Sequence, residues 1–142
     1  MGRVARYVLD LIDEILAEPG IREARFEWAL GDVSEKTGRR VRLPFDAAWP
    51  DRRLIVEVDE NQHREAVVFW DKPDVLTVSG IPRGRQRALY DERKRSAARA
   101  AGFTVVEIPW ERRPVPGKRD READRVVLAA LLRAAGAVSR RP

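Results

Sequence analysis

The residues most able to do chemistry are Asp46, Glu57, Asp59 and His63. They lie in Leu43-Pro44-Phe45-Asp46 and in Leu54-Ile55-Val56-Glu57-Val58-Asp59-Glu60-Asn61-Gln62-His63. Carboxylates set into apolar runs are costly to bury unless a cation or a proton donor meets them. Hard oxygen donors brought together in this way point to a divalent cation such as Mg²⁺.

Two strands position the acids. Pro50-Asp51-Arg52-Arg53 reads as a turn, with proline presetting φ and aspartate able to bond nearby backbone. If Trp49 pairs with Leu54, then Ala47 meets Val56 and Phe45 meets Val58, which makes one face wholly apolar. The other face sets Ala48 by Ile55, Asp46 by Glu57 and Pro44 by Asp59. A slip of one residue destroys that pattern. Directly opposed Cβ atoms are about 4.5–5.5 Å apart, so Asp46 and Glu57 would repel unless a cation lay between them. A solvated hairpin face carrying ordinary surface acids is the competing reading.

Charge is the second clue. The chain carries +5, and between positions 83 and 99 seven basic residues (Arg83, Arg85, Arg87, Arg93, Lys94, Arg95, Arg99) stand against Asp91 and Glu92. That window alone holds an excess equal to that of the whole chain. Such clustering is the footprint of a polyanion partner, with a solvated arginine-rich helix as the alternative. Arginine outnumbers lysine throughout, so compositional bias also contributes.

The composition excludes several classes. With 142 residues, 44% of them hydrophobic, one domain with one core is expected. The absence of cysteine excludes disulfides, zinc fingers and thiol nucleophiles, and a single histidine excludes any site needing two. There is no membrane-length apolar run and no signal-peptide core after Met1, which predicts a cytoplasmic protein.

Periodicity predicts an α/β chain. Val4 to Glu18 reads as an amphipathic helix ended by Pro19-Gly20, and Ile21 to Leu30 as a second, short helix. Arg39 to Trp49 and Leu54 to Asp59 are the paired strands. Glu60 to Gly84 is a long connection that includes a possible strand at Val75–Val78. A helix over Gln86–Ala101, capped by Gly102, leads to a strand at Phe103–Ile108 and a last helix over Arg119–Val138.

The order of these features resembles the PD-(D/E)XK nuclease superfamily, in its very-short-patch-repair-like (Vsr-like) branch. The matching residues are Glu27 before the hairpin, Asp46, then Glu57-Val58-Asp59-Glu60-Asn61-Gln62-His63. Asp91-Glu92-Arg93-Lys94-Arg95 and Ala101-Gly102-Phe103 follow, and the likeness spans about Arg22 to Trp110. Two departures stand out. Glu60 replaces an expected glycine, and Asp59 occupies the place of the superfamily's lysine.

The resemblance implies a restriction-endonuclease-like core, a mixed sheet of about four strands flanked by helices, and a metal-dependent endonuclease acting on DNA in repair, restriction or defence, with RNA left open as a substrate. Asp46, Glu57 and the Val58 carbonyl would hold Mg²⁺ or Mn²⁺. Asp59 would complete the acidic cluster or orient water, and Glu27 would stand behind the ligands or position a metal-bound water. Lys94, Gln62 or His63 would stand in for the missing lysine, with His63 able to move a proton near neutral pH. Arg83, Arg85, Arg87, Arg93 and Arg95 would contact phosphates, giving salt-dependent affinity. A homodimer would supply two sites for cutting two strands. The missing lysine leaves open a module that binds nucleic acid without cutting it, and a protein-interaction domain is a third possibility.

Each role has a plainer rival. Glu27 reads equally as an exposed helix residue, His63 as a strand-end cap and Asp91 as a helix N-cap. Trp28, Trp49, Trp70 and Trp110 read as packing residues, although Phe69-Trp70 could wedge into a duplex.

Overall fold

The computed structural model describes residues 1–60 and 83–138, with the side chain of Arg83 outside those described. The elements run α1 (Arg3–Leu16), β1 (Ile21–Leu30), β2 (Arg42–Trp49), β3 (Leu54–Val58), α2 (Arg83–Ala100), β4 (Thr104–Ile108) and α3 (Arg121–Ala134). The strands form one sheet in the order β1-β2-β3-β4. β2 and β3 are antiparallel, whereas β3 and β4 are parallel, so the sheet is mixed. The chain is therefore α/β, with four strands and three helices among the described residues.

The described residues fall into two compact units. The first holds residues 1–24, 45–60 and 102–138, and the second holds residues 25–44 and 83–101.

In the first unit α1 buries Ala5, Val8, Leu9, Leu11, Ile12 and Leu16. These follow the helical repeat, so one stripe faces the sheet while the polar residues face out. They pack with Ala47, Trp49, Leu54, Val56 and Val58 of β2 and β3, Val106 and Ile108 of β4, and Leu128 and Leu132 of α3. Each large apolar side chain buried in this cluster contributes about 1.5–3 kcal/mol. α1 stops where Ala17 turns left-handed (φ 54°) and Pro19 follows. Gly20 then passes against the buried Trp49 indole, where a Cβ would lie 2.5 Å from Cε2. The indole Nε1 donates to the Glu18 carbonyl at 2.9 Å, fixing the ring.

The hairpin register is the one that alternation requires: Trp49 opposes Leu54, Ala48 opposes Ile55 and Ala47 opposes Val56. Its turn is a short 3-10 segment, Pro50–Arg52, closed by Arg53 at φ 48°. Parallel pairing with β4 then sets Ile55 by Val105 and Glu57 by Glu107. After α2 the chain turns at Gly102 (φ 88°), a conformation that glycine takes without steric cost.

Three expectations need correction. Ile21–Leu30 is a strand, not a helix. Arg, Glu and Ala favour helices, but from Ile21 to Trp28 the even positions Arg22, Ala24, Phe26 and Trp28 are less exposed than the odd ones, and the rings of Phe26 and Trp28 stack at 4.6 Å. Second, α2 begins at Arg83 rather than Gln86, so Asp91 lies within the helix and is not its N-cap. Arg85 to Tyr90 are residues that sustain a helix, and no proline follows Pro82 to interrupt it. Third, the last helix runs Arg121–Ala134 rather than 119–138: Asp120 caps its start by accepting from Ala123 N at 2.8 Å, and Gly136 turns left-handed (φ 76°) just past its end. The expected strand at Val75–Val78 and the Phe69-Trp70 wedge lie outside the described residues.

Candidate metal centre and basic surfaces

Asp46 and Glu57 meet where the β2–β3 pairing ends. Beyond Ala47–Val56 the strands exchange side-chain bonds. Asp46 N donates to Glu57 Oε2 at 3.1 Å, and Val58 N donates to Asp46 Oδ2 at 2.7 Å. Each carboxylate is thus fastened to the backbone of the neighbouring strand. Both are half-buried, on the sheet face opposite the α1 contacts and level with the fully buried Ala48 and Ile55. A carboxylate has about four lone-pair sites, and each of these amide bonds takes up one of them. At this point Val58 meets Asp46 through its N–H.

Asp59 is half-buried, and its N–H donates to the Ile108 carbonyl at 2.9 Å, extending the ladder to β4 by one residue. Glu60, the departure from glycine, accepts from Ala5 N at 3.1 Å and so lies at the N-terminus of α1. A carboxylate is well placed there against the helix dipole. The α1 N-cap is Gly2, whose missing side chain leaves room for that carboxylate: a Cβ would fall 2.4 Å from Glu60 Oε1. Gln62 and His63 lie outside the described residues. Among those described, no group of three or more His, Cys, Asp or Glu side chains is placed to hold a metal.

Sequence reasoning missed Glu107. It is the only acid in β4, exposed, and the parallel partner of Glu57. The available signal was a carboxylate inside an apolar strand, the same signal that singled out Glu57, but the register of a parallel pair cannot be read from a connecting turn.

The other expected site residues belong to the second unit. Glu27 is exposed on β1, so it stands on a strand rather than on the expected helix. Lys94 Nζ donates to the Pro44 carbonyl at 2.7 Å. Arg93 pairs with Asp32 at 2.8 Å, donates to the Leu30 carbonyl at 3.3 Å and lies 5.1 Å from the Tyr90 ring centre. The Tyr90 hydroxyl accepts from Asp32 N at 2.8 Å, and Gly31 passes under its ring. These two basic side chains therefore fasten α2 to β1 and β2. Arg85, Arg87 and Arg99 are exposed, and Arg95 is half-buried. Arg87 and Lys94 also line a hollow of about 270 Å³ with Leu43, Pro44, Gln86, Tyr90 and Asp91.

Other carboxylates of the first unit serve packing. Asp124, the one buried charged residue among those described, is 2% exposed and accepts from the Tyr7 hydroxyl at 2.5 Å. That bond, with burial second, pushes the Tyr7 pKa up to about 12. Asp13 accepts from Gly20 N at 2.7 Å and pairs with Arg22 at 2.6 Å, which also reaches Asp10 at 3.1 Å. Glu14 binds Arg121, which lowers its pKa from the usual carboxylate value. Among the described residues, no helix is long and apolar enough to cross a membrane.

No family model, curated protein or solved structure matches the chain.

Proposed function

We propose that the chain is a metal-dependent endonuclease that hydrolyses phosphodiester bonds in DNA, using Mg²⁺ or Mn²⁺ at Asp46 and Glu57. The observation that carries this reading is the pair itself. Two carboxylates on neighbouring strands are held side by side by reciprocal bonds to backbone N–H groups. The element order supports it as well: a helix, three strands, a basic helix, then a strand parallel to the third. Fold order alone fixes no activity, so the weight rests on the acids.

The donor set fits the cation. Mg²⁺ takes hard oxygen ligands and is commonly held by one or two carboxylates, with water and substrate phosphate completing its shell. A cation bound there would acidify water and offset charge developing on the scissile phosphate. Asp46 and Glu57 would fix its position, their own orientation set by Val58 N and Asp46 N. Asp59 and Glu107 would add negative potential along the same end of the sheet. Arg85, Arg87 and Arg99 would attract the strand through its phosphates, without reading sequence. A homodimer would place two such centres on one duplex.

A second reading, a nucleic-acid-binding module that does not cut, is favoured by the two departures from the superfamily pattern, Asp59 in the place of its lysine and Glu60 in the place of a glycine. Supercoiled plasmid incubated with Mg²⁺ or Mn²⁺ separates the two. Nicking by the wild type that Asp46→Ala and Glu57→Ala both abolish supports the nuclease. Salt-dependent retention of intact plasmid supports the module instead.

A further inference from the structure

The loop joining β4 to α3 carries a second concentration of positive charge, separate from the one around α2. Between Trp110 and Asp120 stand Arg112, Arg113, Lys118 and Arg119 against Glu111 and Asp120. The loop is shaped by a 3-10 turn at Trp110–Arg112 and by a turn at Gly117 (φ 83°), where Lys118 N donates to the Val115 carbonyl at 3.2 Å. It encloses an open hollow of about 540 Å³, whose polar lining is Glu111, Arg112, Arg113, Lys118, Arg119 and Asp124.

Arg113 is the informative member. Its guanidinium lies 3.5 Å from the Trp110 ring centre, a cation–π stack that fixes the plane of the group. Its Nε and Nη1 are buried, and neither meets an acceptor among the described residues. Buried donors are nearly always satisfied, because leaving one unmet costs free energy. The nearby acids do not meet this need. Glu111 and Asp124 line the same hollow, yet neither meets those two donors, and Asp124 Oδ2 accepts from the Tyr7 hydroxyl. A guanidinium held flat with unmet donors, flanked by three further cations, calls for an oxyanion with several acceptor oxygens.

We propose that this hollow is a phosphate-group site that grips the nucleic-acid strand at a phosphate other than the one being cut. This deepens the nuclease reading and rests on its nucleic-acid partner, but not on its metal. Arg113 supplies the oriented donors, and Arg112, Lys118 and Arg119 supply the field.

The test measures duplex DNA binding by fluorescence anisotropy in EDTA across a salt series. It compares the wild type with the exposed pair Lys118→Gln/Arg119→Gln and with Arg113→Gln. The exposed pair cannot disturb the core, so it keeps the test valid if Arg113→Gln folds poorly. Each variant is expected to weaken binding about tenfold, and the log–log salt slope should fall by about 1 for each phosphate no longer neutralised. At saturating DNA with Mg²⁺ the cleavage rate should be unchanged and only KM should rise. In a second arm, inorganic phosphate alone should move the Arg113 Nε–H signal in the nitrogen–proton spectrum.

Wild-type affinity and slope in the Lys118→Gln/Arg119→Gln protein would overturn the strand contact while leaving the nuclease standing. Variant-sensitive binding by a wild type that never cuts would uphold the contact and remove the catalysis. A wild type that binds no duplex overturns the contact outright. An Arg113 signal that ignores phosphate overturns the oxyanion site itself.

Discussion

Asp124 and Asp46 are both carboxylates of the first unit that accept from a group distant in sequence, yet their surroundings differ in kind. Asp124 is 2% exposed and meets a donor, the Tyr7 hydroxyl, which ties α1 to α3. Asp46 is half-buried and stands beside a second carboxylate, with backbone N–H groups holding both in place. The first arrangement lowers the free energy of the fold. The second sets two negative charges side by side, and a cation would relieve the repulsion. Acids that hold the structure and acids proposed to hold a cation are thereby separable by what their removal does to stability.

The largest stability effect should come from Asp124→Ala. It deletes the acceptor for Tyr7 and should cost about 2–3 kcal/mol in urea unfolding. Gly20→Ala should follow at about 1–3 kcal/mol, because its Cβ would press into the buried Trp49 ring. Tyr7→Phe should cost about 1 kcal/mol and also sharpen the contrast through pH. The Tyr7 pKa is raised from the ordinary value of 10.0 to about 12 in the folded chain, so the folded state holds that proton more tightly than the unfolded one. The bond's contribution is full below pH 10 and is lost as pH rises through about 12. Tyr7→Phe should remove that alkaline slope from a stability–pH series.

At the small end, Asp46→Asn and Glu57→Gln keep an oxygen to accept the same backbone N–H. Without metal they should change stability by less than about 0.5 kcal/mol, or raise it by removing the repulsion. If Asp46→Asn instead costs as much as Asp124→Ala, the distinction between the two acids collapses.

The hairpin was legible because alternation and a proline turn act within a dozen residues. Phe45, Ala47, Trp49, Leu54, Val56 and Val58 can share one face in only one register, and that register sets Asp46 beside Glu57. The helix stop at Pro19-Gly20 and the turn at Gly102 were legible for similar local reasons. β1 was not. Its Arg, Glu and Ala residues favour a helix on their own, and pairing within the sheet overrides that preference.

The basic surfaces show the limit of counting charge. Arg93 and Lys94 stand in the densest basic window, yet they bind Asp32, the Leu30 carbonyl and the Pro44 carbonyl, partners about 50 to 60 residues away. Arg113 lies in a shorter cluster and has donors unmet. Sequence records how many cations there are, and the fold decides which ones are already committed. Glu107 was hidden for a related reason, since only the crossover through α2 brings β4 parallel to β3.

The most direct test of the central claim is a Mn²⁺ titration of the isotopically labelled wild-type protein, following its backbone amide signals. Paramagnetic Mn²⁺ broadens the signals of nuclei close to it. A metal held by Asp46 and Glu57 should erase the Asp46 and Val58 amide signals first, and Mg²⁺ in excess should restore them. If those two signals survive a full equivalent of Mn²⁺, or if broadening begins elsewhere, the carboxylate pair is not a metal centre and the nuclease reading falls with it.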